Sequence, residues 1–156
     1  LNKSREFITS DYVVIHDADL EYFPEDIVEM FKEVNGDNLI LGSRFIGNKK
    51  RLNVYSRTYL ANKVMSLFFS LVNFKKITDV ATCYKMMPSS FFKSNSFTEK
   101  GFSIEIEMLS RFLKTSRQII EVPISYNGRS YEDGKKIKLQ DGFLYLISTI
   151  KYRIIS

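Results

Sequence analysis

The chain has 156 residues, 44% apolar and 26% charged, the balance of one globular domain, which excludes collagen-like, disordered and disulfide-scaffold classes. Lys and Arg number 23 against 18 Asp and Glu, a net charge of +5 that suits phosphate-bearing ligands or an anionic membrane face and argues only weakly for nucleic acid. A lone cysteine, Cys83, and a lone histidine, His16, exclude an internal disulfide, a thiolate metal site and a multi-histidine zinc site, fit a reducing compartment, and leave carboxylates as the ligands of any metal.

Tyr12-Val13-Val14-Ile15 is a β-branched run that reads as a buried strand, and it ends in Asp17-Ala18-Asp19. Pro24 opens a helix with Glu25 and Asp26 in its first turn and Ile27, Met30, Phe31 and Val34 at helical spacing. Gly36 stops that helix. Leu39-Ile40-Leu41 is a second strand, ending at Gly42-Ser43-Arg44, and a basic loop runs from Gly47 to Arg51. Tyr55 to Asn73 predicts a long amphipathic helix with Leu60, Val64, Leu67, Phe68 and Leu71 on one face. Ile77 to Met87 is strand-like around Asp79, and Ile104 to Lys114 is helical. Ile119 to Tyr126 is a strand broken by Pro123, hence an edge. A polar, basic loop over Asn127 to Lys138 precedes a last helix, Gly142 to Ile155. Alternating strands and helices predict an α/β fold with helices packed on a mixed sheet. No stretch reaches the roughly 18 apolar residues that cross a bilayer. No signal peptide is expected, and the start at Leu1, close to a strand-like run, is expected of a piece of a longer protein.

Four groups of residues carry chemistry. Asp17, Asp19 and Glu21 alternate along a chain leaving a strand. An extended backbone puts all three carboxylates on one side, where a hard cation such as Mg²⁺ or Mn²⁺ relieves their repulsion. A solvated acidic turn ahead of the helix explains the same spacing. Asn127 to Lys136 holds two glycines and three cations, Arg129, Lys135 and Lys136. Such a loop either closes on an anionic substrate or is simply solvated. Arg44, directly after a strand, is the best single phosphate ligand among the remaining cations. Lys49-Lys50-Arg51 reads as a solvated or membrane-facing run, and Arg57 lies near a helix start. Asp79, between Ile77 and Val80, is either the partner of a buried cation or a functional acid or base. His16 reads as a packing or supporting residue. Phe68, Phe69, Phe91, Phe92, Met86 and Met87 read as core.

Val14-Ile15-His16-Asp17-Ala18-Asp19-Leu20-Glu21-Tyr22 with Pro24, then Leu41-Gly42-Ser43-Arg44-Phe45, recur as strings in one enzyme family. So do Ile77-Thr78-Asp79 with Cys83-Tyr84-Lys85, and Glu121-Val122-Pro123-Ile124 followed by Tyr126, Arg129, Gly134 and Lys135. In that order, over nearly the whole chain, they resemble the family 2 glycosyltransferases of GT-A fold, in particular the dolichyl-phosphate mannose synthase-like and bacterial polyprenyl-phosphate branch. The resemblance implies a mixed, mostly parallel sheet flanked by helices. It makes residues 1–156 the C-terminal catalytic and acceptor part of a single GT-A domain, truncated of its opening nucleotide-binding units and their Val-Ile-Pro-x-Tyr-Asn-Glu-like string. Ala61 stands where the family usually has a serine four residues after the Arg57 position.

The resemblance further implies a DxD pair, Asp17 and Asp19, holding Mg²⁺ or Mn²⁺ on a GDP- or UDP-hexose, with Glu21 in reach of the metal. Arg44, Arg57, Arg129, Lys135 and Lys136 would lie along the donor and acceptor phosphates, with Asp19 and Asp79 at the reacting centre. The expected reaction is inverting transfer of a hexose to a dolichyl or undecaprenyl phosphate at the cytoplasmic face of a membrane. No nucleic acid is involved, and the final helix is a candidate peripheral membrane contact. A phosphate acceptor is already ionised and needs cations to align it. A sugar hydroxyl acceptor, as in cell-envelope polysaccharide synthesis, needs a base, and Asp79 would supply it. An inactive metal- or phosphate-binding fragment and a Mg²⁺-dependent phosphohydrolase complete the alternatives.

Overall fold

The computed structural model describes residues 1–129 and 139–155, with side chains described for 1–129 and 142–155. The described elements are a 3-10 helix Asn2–Phe7, β1 (Tyr12–Ile15), α1 (Glu25–Lys32), β2 (Leu39–Ser43), β3 (Arg51–Leu52), α2 (Ser56–Asn73), β4 (Lys85–Pro88), α3 (Ser89–Ser94), α4 (Ser103–Leu113), β5 (Ile119–Pro123), β6 (Tyr126–Asn127) and α5 (Leu139–Ile154).

Four strands form one sheet in the order β1-β4-β2-β5, with β5 at an edge as Pro123 predicts. β2 and β5 are parallel in register Leu39↔Ile119 to Ser43↔Pro123. β4 runs antiparallel to both neighbours, with Ile15↔Lys85 on one side and Leu41↔Lys85 on the other. Three strands therefore share a direction while two of the three pairings are antiparallel, so the sheet is mixed. β2 is buried at all five residues, as an apolar strand covered on both faces must be.

Its side chains alternate between two cores. Leu39 and Leu41 join Phe69, Met87, Met108 and Phe112 under α2, α4 and α5, and Ile40 joins Tyr22, Met30, Tyr84 and Tyr126 on the α1 side. The phenylalanines and methionines read as core are buried, apart from Phe68, which is half-buried.

Three expectations change. The strand-like stretch around Asp79 forms a strand only at Lys85–Pro88; Thr78 and Asp79 lie in the connection before it. The α2 face bearing Leu60, Val64, Leu67 and Leu71 points outward, while Asn62, Ser66 and Phe69 turn inward. Phe31, expected on the buried side of α1, is exposed. The β3–β6 ribbon, pairing Arg51↔Tyr126 and Leu52↔Asn127, is too short to read from sequence, yet it fixes two site residues side by side.

Candidate active site

β1 and β2 both run out at one end of the sheet, and the expected functional residues follow them there. Ligands gather beyond strand ends of this kind in open α/β sheets.

The innermost feature is an ion pair. Asp79 is fully buried and Arg44 nearly so. Arg44 Nε donates to Asp79 Oδ2 at 2.7 Å and Nη2 to Oδ1 at 2.8 Å, and the Arg44 backbone N–H adds a third bond to Oδ2 at 2.9 Å. The guanidinium also faces the rings of Tyr126 at 5.0 Å and Tyr22 at 5.9 Å. Burial opposes its charge, but Asp79 together with Tyr22 and Tyr126 holds the Arg44 pKa well above its usual value. Of the two sequence readings of Asp79, the partner of a buried cation is the one the geometry matches. Both Asp79 carboxylate oxygens are engaged by Arg44.

The loop that carries Asp79 is itself tied down. Glu121 accepts from the Thr78 N–H and hydroxyl, each at 2.8 Å, and from the Asp79 N–H at 3.3 Å, while Thr78 and Ser43 share a hydroxyl contact at 2.6 Å. Desolvation raises the Glu121 pKa, the charge of Asp79 adds to the rise, and these hydrogen bonds oppose it.

The acidic motif is not an extended run. Leu20 sits in the left-handed region at φ 61 and is 87% exposed. That turn breaks the alternation on which a three-carboxylate ligand set rests. Asp19 Oδ1 accepts the Glu21 N–H at 3.1 Å, closing a local turn. Glu21 is buried: Tyr126 Oη donates to it at 3.0 Å and the Arg129 N–H at 2.9 Å. Among the described residues no group of three His, Cys, Asp or Glu side chains is gathered to hold a metal. In this arrangement Glu21 supports Tyr126 and Arg129. Asp17 and Asp19 still offer the hard oxygens a divalent cation takes. The Asp17 pKa is raised by desolvation first and by the Asp19 charge second, against Lys85 and His16. A bound cation would relieve that strain.

Arg129 bridges the groups, with Nη2 donating to Asp19 Oδ2 at 2.9 Å and Nε to Glu21 Oε1 at 3.4 Å. Its place depends on Gly128, whose N–H bonds Leu52 O at 3.1 Å. A Cβ there would lie 2.5 Å from Asn53 O, so only glycine lets the chain pass β3 so closely.

Beside this cluster a half-open hollow of about 260 Å³ is lined by Arg44, Arg51, Tyr55, Thr58, Tyr59 and Tyr126, among others. Arg51 is the residue sequence reasoning missed. In the Lys49-Lys50-Arg51 run, Lys49 pairs with buried Asp26 at 3.0 Å, and Arg51 lines the hollow, placed there by the β3–β6 pairing, which leaves no signal in the sequence. Arg57 is exposed on the first turn of α2 and does not line the hollow. Lys135 and Lys136 lie outside the described residues.

Two further groups support the site. Lys85, fully buried, bonds Glu105 and the Thr82 carbonyl. His16 Nδ1 meets Tyr84 Oη at 2.7 Å, the supporting role read for it. Cys83 is buried with its thiol pushed up to about 12, chiefly by desolvation, so it is no nucleophile.

No protein-family model matches the chain. It is 23% identical over 128 residues to the undecaprenyl-phosphate mannosyltransferase of Micrococcus luteus, covering 80% of this chain and 53% of that protein. It is 26% identical over 129 residues to glycosyltransferase AglJ of Haloferax volcanii, covering 80% of this chain and 41% of the relative. It is 26% identical over 141 residues to the dolichol-phosphate mannosyltransferase of Pyrococcus furiosus, covering 88% and 39%. The chain thus spans about half the length of the first relative and about two fifths of the other two. Among solved structures, glucosyl-3-phosphoglycerate synthase of Mycobacterium tuberculosis, in complex with UDP, superposes with a TM-score of 0.68 at 12% identity, over 99% of this chain and 54% of that one. The fold is shared at that level.

Proposed function

The chain belongs with the family 2 glycosyltransferases of GT-A fold, and from that premise we propose that it is the catalytic and acceptor part of an enzyme moving a hexose from a GDP- or UDP-sugar to a dolichyl or undecaprenyl phosphate, with inversion. The observation that carries this reading is one continuous side-chain path. Asp19 and Glu21 meet Arg129, Glu21 meets Tyr126, and the Tyr126 ring meets Arg44 at the wall of a cationic, aromatic hollow. Donor and acceptor phosphates need such neighbouring acidic and basic halves.

Asp17 and Asp19 would hold Mg²⁺ or Mn²⁺, which neutralises the leaving diphosphate when bound. Arg129 balances Asp19 and Glu21; a divalent cation held beside them would take over that role and leave its guanidinium able to grip phosphate bidentately. Arg44 and Arg51 present positive charge to the hollow, aligning the acceptor's ionised oxygen with the anomeric carbon. Asp79 acts through Arg44, fixing its direction. Arg57, Lys135 and Lys136 remain proposed phosphate contacts. A lipid-borne acceptor would bring the protein to a membrane, whose cytoplasmic face is the proposed location. A sugar hydroxyl acceptor loses support because Asp79 is sealed in its ion pair.

The test is product analysis with the full protein, Mn²⁺, labelled GDP- and UDP-hexoses and polyprenyl phosphate. Label should move into lipid, and Asp19→Asn should cut transfer about 10²-fold or more. Label appearing only on a sugar hydroxyl, or only as free sugar, would overturn the proposal.

A further inference from the structure

Helix α2 lines the hollow with its first turns, while its outer stripe is exposed. Leu60, Val64, Leu67 and Leu71 recur at helical spacing and are 54–65% exposed, and Phe74 at the helix end is 87% exposed. α5 packs against α2 and carries a second such stripe: Phe143, Ile147, Ile150 and Ile154, all exposed. Arg153 lies 5.6 Å from the Phe74 ring centroid, so the stripes meet at their C-terminal ends. Large exposed apolar patches of this kind mark interaction surfaces.

The charge around the patch names the partner. Neither α2 nor residues 142–155 of α5 contain an Asp or Glu. Lys75 and Lys76 follow α2 directly, and with Lys63 they rim a shallow depression of about 360 Å³ floored by Leu67, Leu71 and Phe74. Lys151 is answered by Glu99 at 2.5 Å. No ion pair involving Lys63, Lys75, Lys76 or Arg153 occurs among the described residues. A second copy of the chain docked symmetrically would bring these cations face to face. No described helix is long and apolar enough to cross a membrane. An apolar stripe bordered by Lys63, Lys75, Lys76 and Arg153 matches an anionic bilayer surface, with side chains in the acyl boundary and cationic groups at the headgroups.

We propose that the α2–α5 face is a monotopic docking surface for anionic phospholipid. It rests on the proposed transfer reaction only for its purpose. The helix that touches lipid through Leu60 to Phe74 lines the hollow through Tyr55, Thr58 and Tyr59, so docking brings that hollow to a lipid-borne phosphate.

The experiment is flotation of the full chain with phosphatidylcholine vesicles, with and without 30% phosphatidylglycerol, lacking both donor and polyprenyl phosphate. Binding should require phosphatidylglycerol and fall with salt. Leu67→Asp with Leu71→Asp should weaken it about tenfold or more per leucine. Lys75→Glu with Lys76→Glu should weaken it by at least about 25-fold, from roughly fivefold for each cation lost. All four side chains are exposed, and circular dichroism should show an unchanged fold. No flotation, flotation unaffected by the leucine changes, or a dimer dissolved by them would each overturn the proposal. Transfer to detergent-dispersed acceptor is measured in parallel: flotation without transfer strikes the enzymatic reading alone, and transfer without flotation strikes this one alone.

Discussion

Two arginine–carboxylate groupings sit within one site and behave as opposites. Arg44 and Asp79 are buried and joined by two side-chain bonds. Arg129 is 39% exposed at its side chain and shares itself between Asp19 and Glu21. The inner pair has no water to replace a lost partner, so its geometry is part of the fold. The outer grouping can exchange partners at little cost, which suits a place where a cation and phosphates come and go. The same chemistry thus yields a fixed wall in one setting and a releasable clasp in the other, and burial decides which.

The sharpest way to break this contrast is to remove one partner of the inner pair. Asp79→Ala should destabilise the protein by about 3–5 kcal/mol by leaving the Arg44 charge buried and unpaired. For a domain of this size, that lowers Tm by roughly 6–20 °C. Replacing both partners, as Arg44→Met with Asp79→Leu, should recover most of the loss in urea unfolding. If Asp79→Ala alone unfolds at the wild-type midpoint, the pair is not a structural wall.

Tyr126 joins the two groupings, because its hydroxyl donates to Glu21 while its ring faces Arg44. Tyr126→Phe keeps the ring and deletes the donor. The buried Glu21 carboxylate then lacks one charge-assisted bond, a loss of about 1.5–3 kcal/mol. Equal stability of the two proteins in urea would show that Glu21 is satisfied without Tyr126.

Removing the outer arginine should matter least to folding and most to ligands. Arg129→Ala should cost at most about 1 kcal/mol, as half-exposed ion pairs do. It also frees Asp19 from a competing cation, so Mn²⁺ should bind the variant more tightly in titration calorimetry while use of a phosphate acceptor falls. Weaker Mn²⁺ binding would mean that Arg129 orders Asp19 for the metal instead of competing with it.

How far the sequence foretold this contrast depends on which residue is asked. A carboxylate between Ile77 and Val80 already demands a partner, because an unpaired charge in an apolar run is too costly to bury. That the partner is Arg44, 35 positions away, depends on sheet order, which no local pattern carries. Strands β1, β2 and β5 were legible as short apolar, β-branched runs, although only β2 is buried at every residue and the expected burial of β1 is only partial. Glu21 is equally instructive. Alternation along Asp17-Ala18-Asp19-Leu20-Glu21 holds only for an extended chain, and Leu20 in the left-handed region interrupts it, with Glu21 buried against Tyr126 and Arg129. The α2 stripe misled differently. Helical spacing of leucines marks an apolar face without saying whether protein covers it, and here small polar Asn62 and Ser66 face inward instead.

The finest probe of the inner wall is its pH dependence. Glu121 braces the Thr78–Asp79 backbone, and its pKa is raised above the ordinary value by desolvation, with Asp79's charge adding to the rise. The folded protein therefore holds this proton to a higher pH than the unfolded chain does. Between the ordinary glutamate value of 4.5 and the raised folded value, the native state binds more protons, and the stability Glu121 contributes falls as pH climbs. Glu121→Gln cannot titrate, whereas Asp17 and Glu105, also raised, contribute alike to both proteins and cancel in the difference. The stability gap between wild type and Glu121→Gln in urea should accordingly be wider at pH 4 than at pH 7. A gap that widens toward neutral pH would mean that the three donors on Glu121 outweigh its desolvation, and the inner network would then be held by an ionised carboxylate, as the outer one is.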